Sequence, residues 1–525
     1  MAPIDPPITS GNIRQTVRTS SMKTKTREYK GDYIEGHFLK VEDPNGEIWS
    51  KNPGDLEAAP LTFPFSYSHI HDAVSAAKRS FFTWRRQSVQ NRAEALVRYR
   101  EILKIRQSEL AYWVSFETGK PLWESHQEID ESRSLIDYFI NQGSQTSIEQ
   151  KLNTPDGASV TRHFPRGVVS VITPASQPVL FPHSYFIPAL MNGNTAVVKT
   201  CSQTPMLGQI FSEIAHDSGL SAGVLNFFHG DSESARRLVG HADVDAIFYH
   251  GPFETAAKVK KQLLSDFWKY TVIETGGKNA QVIWNDCDYF QALYDAVFAS
   301  FVTTGQRCSS TSRILVHDKF FGKFIKDFHQ LAKKISVGFG LANSQSHFMG
   351  PLISERAVED YLRFQGIAVR EGAEELMRGK TLERDKKGFY VSPSIHIVEK
   401  VDPKSIYQKS EIHGPNVAIF RVSDLDEVSE IINQPQWGLV ASIYTGARDH
   451  FYRLADEIKV GMLHWNRPTT AISFRMATGG IKKSGNERPM GSYAGIQCTQ
   501  MINCLEGTGS FELESLIKEI PRLDP

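Results

Sequence analysis

Two short segments of this chain carry residue types suited to covalent chemistry. Gly305-Gln306-Arg307-Cys308-Ser309-Ser310 places a cysteine in a turn that leads into a β-branched run. Glu274-Thr275-Gly276-Gly277-Lys278-Asn279 places a carboxylate at the end of an apolar run, followed by two glycines. A thiolate attacks electrophilic carbon, and a carboxylate can take the proton of a water that later releases the adduct. Arg307, beside the thiol, would favour its ionised form if the guanidinium faced it. Each segment also has a plain structural use, Glu274 as a turn cap and Cys308 as a small buried hydrophobe. Residue types alone leave both uses open.

The scaffold that must hold such groups is written in hydrophobic periodicity. From about Ser68 to Asn141 the spacing is helical: Ala73, Val74, Ala76, Ala77 and Phe81 recur, then Leu96, Tyr99, Ile102 and Leu103. Ser68 is the expected cap of the first helix, and Gly119-Lys120-Pro121 ends a later one. After Gly167 the period shortens. Strands are expected at Val168–Thr173, Thr195–Lys199, Val224–Phe228, Ala246–Tyr249 and Tyr270–Glu274, with helices at Met206–His216 and Glu233–Val239 between them. That alternation predicts a parallel, doubly wound sheet, which binds nucleotides at the carboxyl ends of its strands. A second alternating block follows Phe298, with strands at Arg313–Val316, Ala418–Val422 and Ala441–Tyr444. The fingerprint G-x-G-x-x-G is absent. Its nearest substitute, Gly251-Pro252-Phe253-Glu254-Thr255-Ala256, is too weak a signal to identify a phosphate site by itself.

Composition narrows the remaining classes. A chain of 525 residues exceeds one compact core, so two or three domains are expected. Its 59 basic and 59 acidic residues balance, which gives no global attraction to nucleic acid or to an anionic membrane. The apolar stretch Val168–Met191 is interrupted by Pro174, Pro178, Pro182 and Pro188, which break a spanning helix and mark buried core. The five cysteines, without a Cys-x-x-Cys pair, point to a reduced, cytoplasmic setting. No Cys/His cluster has the spacing of a metal site. The first thirty residues are basic, prolyl and without an apolar face, so they read as a disordered tail rather than a transit peptide.

Taken together, ETGGKN and GQRC resemble the paired signatures of the aldehyde dehydrogenase superfamily. FETGKP (Phe116–Pro121), GNTAVVK (Gly193–Lys199), SEIHGP (Ser410–Pro415) and GGIKKSG (Gly479–Gly485) follow in family order, over roughly residues 31–510. PDGASVTRHFPRGV (Pro155–Val168), FVTTGQRC (Phe301–Cys308), WNRPTT (Trp465–Thr470) and SGNERP (Ser484–Pro489) are similar to the succinylglutamate-semialdehyde dehydrogenase branch. The resemblance implies that the Cys308 thiolate attacks an aldehyde, that hydride passes to a nicotinamide, and that Glu274 activates water against the resulting thioester. It further implies that Glu411 holds the nicotinamide-side ribose and Lys199 the adenine-side ribose, with Gly251 and Gly276 in the same cofactor site.

Four positions depart from the family pattern. The turn Pro174-Ala175-Ser176-Gln177-Pro178 puts Ser176 where the family has its oxyanion-donating Asn, with Gln177 as a substitute if the turn is rotated. Ser202 stands in place of a ribose-binding Glu, which removes the charge that would repel a 2′-phosphate, so NAD and NADP are both expected. Pro252 replaces a pyrophosphate-binding Ser, and His413 replaces a nicotinamide-contacting Phe.

The expectation is therefore an α/β protein of the aldehyde dehydrogenase fold. A Rossmann-like NAD(P) domain would take 31–147 and 166–273, and a catalytic domain 274–478. Residues 148–165 and 479–525 would supply a small β arm and C-terminal segment, preceded by the tail 1–30. Pro155–Pro165 and the region after Tyr493 should supply strands of that arm, through which a homodimer or homotetramer assembles. The expected reaction is oxidation of a small-molecule aldehyde, a carboxylate-bearing semialdehyde gripped by Arg307, Arg467 or Arg488. A catalytically weak relative with an interaction role is the alternative.

Overall fold

The computed structural model describes residues 27–142, 149–154, 157–342, 346–473, 475–488, 490–507 and 519–521. Residues 1–26 of the expected tail lie outside that range. Its last four do not behave as a tail: Arg27 and Lys30 pair with Glu213, and the Tyr29 ring packs on Phe63 and His229. The buried Glu213 carboxylate gives these cations a fixed partner, so the folded chain begins by Arg27.

The first seven-stranded sheet runs Tyr270–Glu274, Ala246–His250, Val168–Ile172, Thr195–Lys199, Leu225–Phe228, Asp32–Ile34 and His37–Leu39. Its first five strands are parallel. The middle strands are buried on both faces, which explains why apolar residues dominate them. The two N-terminal edge strands pair antiparallel. Helices α1 (Ser68–Trp84), α2 (Val89–Ile105), α3 (Gln107–Thr118) and α4 (Leu122–Gln142) precede the parallel run. Helices α5 (Leu180–Met191), α6 (Pro205–Asp217), α7 (Ser232–Gly240) and α8 (Phe253–Gln262) are its crossovers.

Local chemistry overrides one expectation. Ser68 is the first residue of α1 rather than its cap: Tyr67 holds the cap position without a side-chain bond, and the Ser68 hydroxyl meets Ser66 Oγ at 2.8 Å. Pro188 lies inside α5, all twelve residues of which are buried. Gly119 does end α3, at φ 77°. Among the described residues no helix is long and apolar enough to cross a membrane.

The second sheet, also seven-stranded, runs Glu374–Met377, Ser394–Val398, Asn416–Val422, Thr311–His317, Asn279–Ile283, Val440–Tyr444 and Met462–Trp465, with one antiparallel edge. A three-stranded antiparallel sheet joins Thr499–Gly507, Gly157–Pro165 and Gln150–Thr154. The loops that follow the strands of the first sheet and those that precede the strands of the second enclose the cleft described next.

Candidate active site

The cleft measures about 1200 Å³, and Ser176, Lys199, Ser202, Gly251, Pro252, Gly276, Cys308, Glu411 and His413 all reach its wall. Cys308 lies between the short 3₁₀ turn Val302–Gly305 and the Thr311–His317 strand. Thr303 (φ 56°), Thr304 (φ 55°) and Gly305 (φ 70°) are successively left-handed. A Cβ on Gly305 would fall 2.2 Å from the Gly414 carbonyl oxygen, so this position admits no side chain. Glu124 holds Thr303, and the Thr304 hydroxyl donates to the Gly350 carbonyl at 3.0 Å. On the far side of the thiol, Asn279 Nδ2 donates to the carbonyls of Cys308 (2.6 Å) and Ser310 (2.9 Å). Such strain persists where its surroundings over-determine it. Burial pushes the Cys308 thiol up to about 12, and the nearby Glu411 and Glu274 carboxylates push the same way.

The structure places Arg307 elsewhere than expected. Its side chain is buried, Nη2 donating to Glu124 at 3.0 Å and Nε to the Thr303 hydroxyl at 2.7 Å. A guanidinium so committed has no fork to offer a substrate, and its charge is already met by a carboxylate. Arg467 also misses the cleft wall: it is exposed, and its charge faces Asp295. Arg488 Nη1 donates to the Gly480 carbonyl at 2.8 Å.

Glu274 ends its strand beside His250, its register partner, and lies off the cleft wall. It accepts the Gly480 N–H at 3.2 Å and lies where a Cβ on Gly485 would approach within 2.4 Å. Burial holds it well above the usual carboxylate range.

Glu411 and Gly276 are complementary. The carboxylate accepts the Gly277 N–H at 3.1 Å, and a Cβ on Gly276 would sit 1.7 Å from Glu411 Oε2. His413 Nε2 stands 3.6 Å from the same carboxylate. Behind it Lys278 is buried, and among the described residues its ammonium has no hydrogen-bond partner; burial and the charge of Arg313 bring it down to about 7. Gly276→Ala should therefore displace Glu411 and weaken dinucleotide binding at least about tenfold. Fluorescence titration would measure this, with iodoacetamide labelling of Cys308 expected within about twofold of the parent.

Ser176 faces the cleft, whereas Gln177 is buried and off its wall, so the turn is not rotated toward Gln177. At the other end, Lys199 Nζ donates to the Thr200 carbonyl at 2.9 Å. Ser202 is exposed at the junction with a second cavity of about 510 Å³. Pro252 caps α8 and offers no N–H to a phosphate.

Sequence reasoning missed two buried groups here. His250 lines the cleft with its ring 4.0 Å from Phe181 and its Nδ1 3.4 Å from the Tyr185 hydroxyl; burial pulls it down to about 3, so it is neutral. Tyr185 is held well above its ordinary value by burial and by the charges of Glu274 and Cys308. A histidine directly before the strand-end glycine was the available signal. The other missed pair, Glu124 and Glu128, had none, since buried carboxylates on α4 look like exposed ones in sequence.

The profile of the aldehyde dehydrogenase family matches residues 46–503. An N-succinylglutamate 5-semialdehyde dehydrogenase of Burkholderia thailandensis is 32% identical over 476 residues, 90% of this chain and 96% of that one. A protein of the same name from Novosphingobium aromaticivorans is 29% identical over 461 residues, 88% and 94% of the two chains. Among solved structures, an NAD+ complex of an aldehyde dehydrogenase from Bacillus cereus superposes with TM-score 0.86 at 26% identity, over 92% of this chain and 97% of that one. An NADP-dependent enzyme of E. coli gives 0.85 at 26%, over 91% and 98%. With its thiol loop, glycine pair and two large sheets accounted for, this chain belongs to the aldehyde dehydrogenase family.

Proposed function

We propose that the chain oxidises a carboxylate-bearing semialdehyde of the N-succinylglutamate 5-semialdehyde class to the acid, with NAD or NADP. The observation that carries this reading is that Cys308, Glu411 and Lys199 open on one continuous cleft. The residues fit a dinucleotide. Gly276 leaves Glu411 room at the inner end, and Lys199 offers its ammonium at the outer end. Ser202 brings no negative charge to that outer end, so we infer that a 2′-phosphate is tolerated. A bound nicotinamide would supply the hydride acceptor.

In this mechanism the Cys308 thiol gives its proton to solvent, the thiolate sulfur bonds to the aldehyde carbon, and the carbonyl oxygen becomes an alkoxide. Ser176 and the Cys308 N–H would donate to that oxygen. Loss of hydride from the carbon re-forms the carbonyl as a thioester on Cys308. Water then adds to the thioester, the C–S bond breaks, and the acid and thiolate separate. Glu274, after leaving the Gly480 N–H and giving its own proton to solvent, takes the water's proton. Homo-oligomer assembly through the three-stranded arm, whose Leu152, Met501 and Leu505 are exposed, and a cytoplasmic setting complete the reading. So does a division into a cofactor unit (31–147 with 166–273) and a catalytic unit (274–478).

Titration with NAD and NADP followed by turnover of an aldehyde panel tests it. Both cofactors should bind within about tenfold of each other, since no charge at position 202 separates them. Semialdehydes with a distal carboxylate should exceed plain alkanals in kcat/KM. A second reading, a weak or inactive relative kept for interaction, is favoured by the withdrawn Glu274 and by Ser176. Absence of both binding and turnover would select it.

A further inference from the structure

Two buried carboxylates on α4 bond the two segments that carry Cys308 and Ser176 to the cleft. Glu124, fully buried, accepts the Thr303 N–H at 3.3 Å, the Thr303 hydroxyl, and Arg307 Nη2 at 3.0 Å. Glu128, equally sequestered, accepts the N–H groups of Val179 (2.7 Å) and Leu180 (3.2 Å) and pairs with Lys120 Nζ at 2.6 Å. Thr303 opens the loop that ends in Cys308, and Val179 closes the turn that carries Ser176. Those two segments hang from different sheets, one before the Thr311–His317 strand and the other after Val168–Ile172. Residues four apart on a helix share a face and stand about 6 Å from each other.

We propose that α4 is the positioning element of this site, Glu124 fixing the nucleophile loop and Glu128 the oxyanion turn, so that one helical turn sets the gap between Cys308 and Ser176. The proposal rests on reading Cys308 as the nucleophile. Glu124 has a second consequence, through charge. Arg307 adjoins Cys308, and Glu124, Glu131 and Glu128 all face its guanidinium, with Lys120 bonded to Glu128. Cys308 itself is faced by Glu411 and Glu274. Removing the Glu124 charge leaves more of the Arg307 charge uncompensated beside the thiol, which favours the thiolate.

The test pairs Glu124→Gln with Glu128→Gln in the full chain. Thiol titration is read as the pH dependence of Cys308 alkylation by iodoacetamide, and kcat is expressed per alkylatable Cys308. Glu124→Gln should lower the titration midpoint by about half a pH unit or more and lower kcat about tenfold, with aldehyde KM within about threefold. Glu128→Gln should leave the midpoint in place and lower kcat about tenfold, because an oxyanion contact acts on the transition state rather than on binding. A helix that serves packing alone would lower Tm while both quantities per thiol stay at the parent value, and that result overturns the proposal. Should Glu124→Gln not fold, Glu124→Asp keeps the charge and shortens the reach: kcat should fall with an unmoved midpoint, and an unchanged kcat overturns the proposal. Alkylation needs no aldehyde turnover. A parent chain that oxidises no aldehyde would therefore end the functional reading, while the midpoint shift still decides the role of Glu124.

Discussion

Cys308→Ala is expected to lower aldehyde turnover by at least about a thousandfold, with dinucleotide affinity within about twofold of the parent. The asymmetry follows from where the sulfur stands. It lies on the cleft wall and forms the one covalent bond on which the proposed route depends, whereas cofactor contacts fall to Glu411 and Lys199. The fold should tolerate the change, since Asn279 holds this loop through backbone carbonyls rather than through the side chain. In the parent protein, alkylation of Cys308 should climb steeply with pH. Burial puts the thiol near 12, so the reactive thiolate grows about tenfold per pH unit from neutral to alkaline solution. Peptide mass spectrometry must separate this site from Cys201, which reaches the same cleft. Turnover surviving in Cys308→Ala would remove the thiol from the mechanism.

What could be read beforehand depended on how local its cause was. The Val168–Ile172 and Thr195–Lys199 strands are buried at every position because helices cover both faces, and their mostly apolar residues keep that pattern in one dimension. Ser176 lines the cleft in a turn whose register the prolines at 174 and 178 mark in the sequence. The N-terminal edge strand Asp32–Ile34 left no such trace. It is three residues long, and its buried Asp32 is satisfied by His229 at 2.9 Å and His69 at 2.7 Å, partners distant in sequence. The directions of the Arg307 and Glu274 side chains left no trace for the same reason. Types and neighbours leave open whether the arginine faces the thiol and which way the carboxylate turns. Their directions are set by Glu124, 183 residues away, and by Gly480, 206 residues away. Side-chain direction at a site is a tertiary property even where the site's residues are plain in the sequence.

Ser176→Asn should raise kcat by about ten- to a hundredfold with little change in aldehyde KM, because loss of one oxyanion donor typically costs about 10²–10³ in turnover. Position 176 can receive the longer side chain: it faces the cleft, while Gln177 packs into the interior and Glu128 pins the following N–H groups of Val179 and Leu180. The turn therefore presents an asparagine amide in the direction the serine hydroxyl now takes. The amide reaches farther and donates toward the alkoxide that appears only as the C–S bond forms. Its effect belongs in kcat rather than in KM. Steady-state kinetics with the best semialdehyde of the panel measures the split. A gain confined to KM would mean that the new side chain merely fills the cleft. A parent rate already typical of an efficient dehydrogenase, unmoved by the substitution, would show that the Cys308 N–H and the Ser176 hydroxyl suffice. That outcome would dispose of the weak-relative reading as well, since the serine on which it leans would then be no handicap.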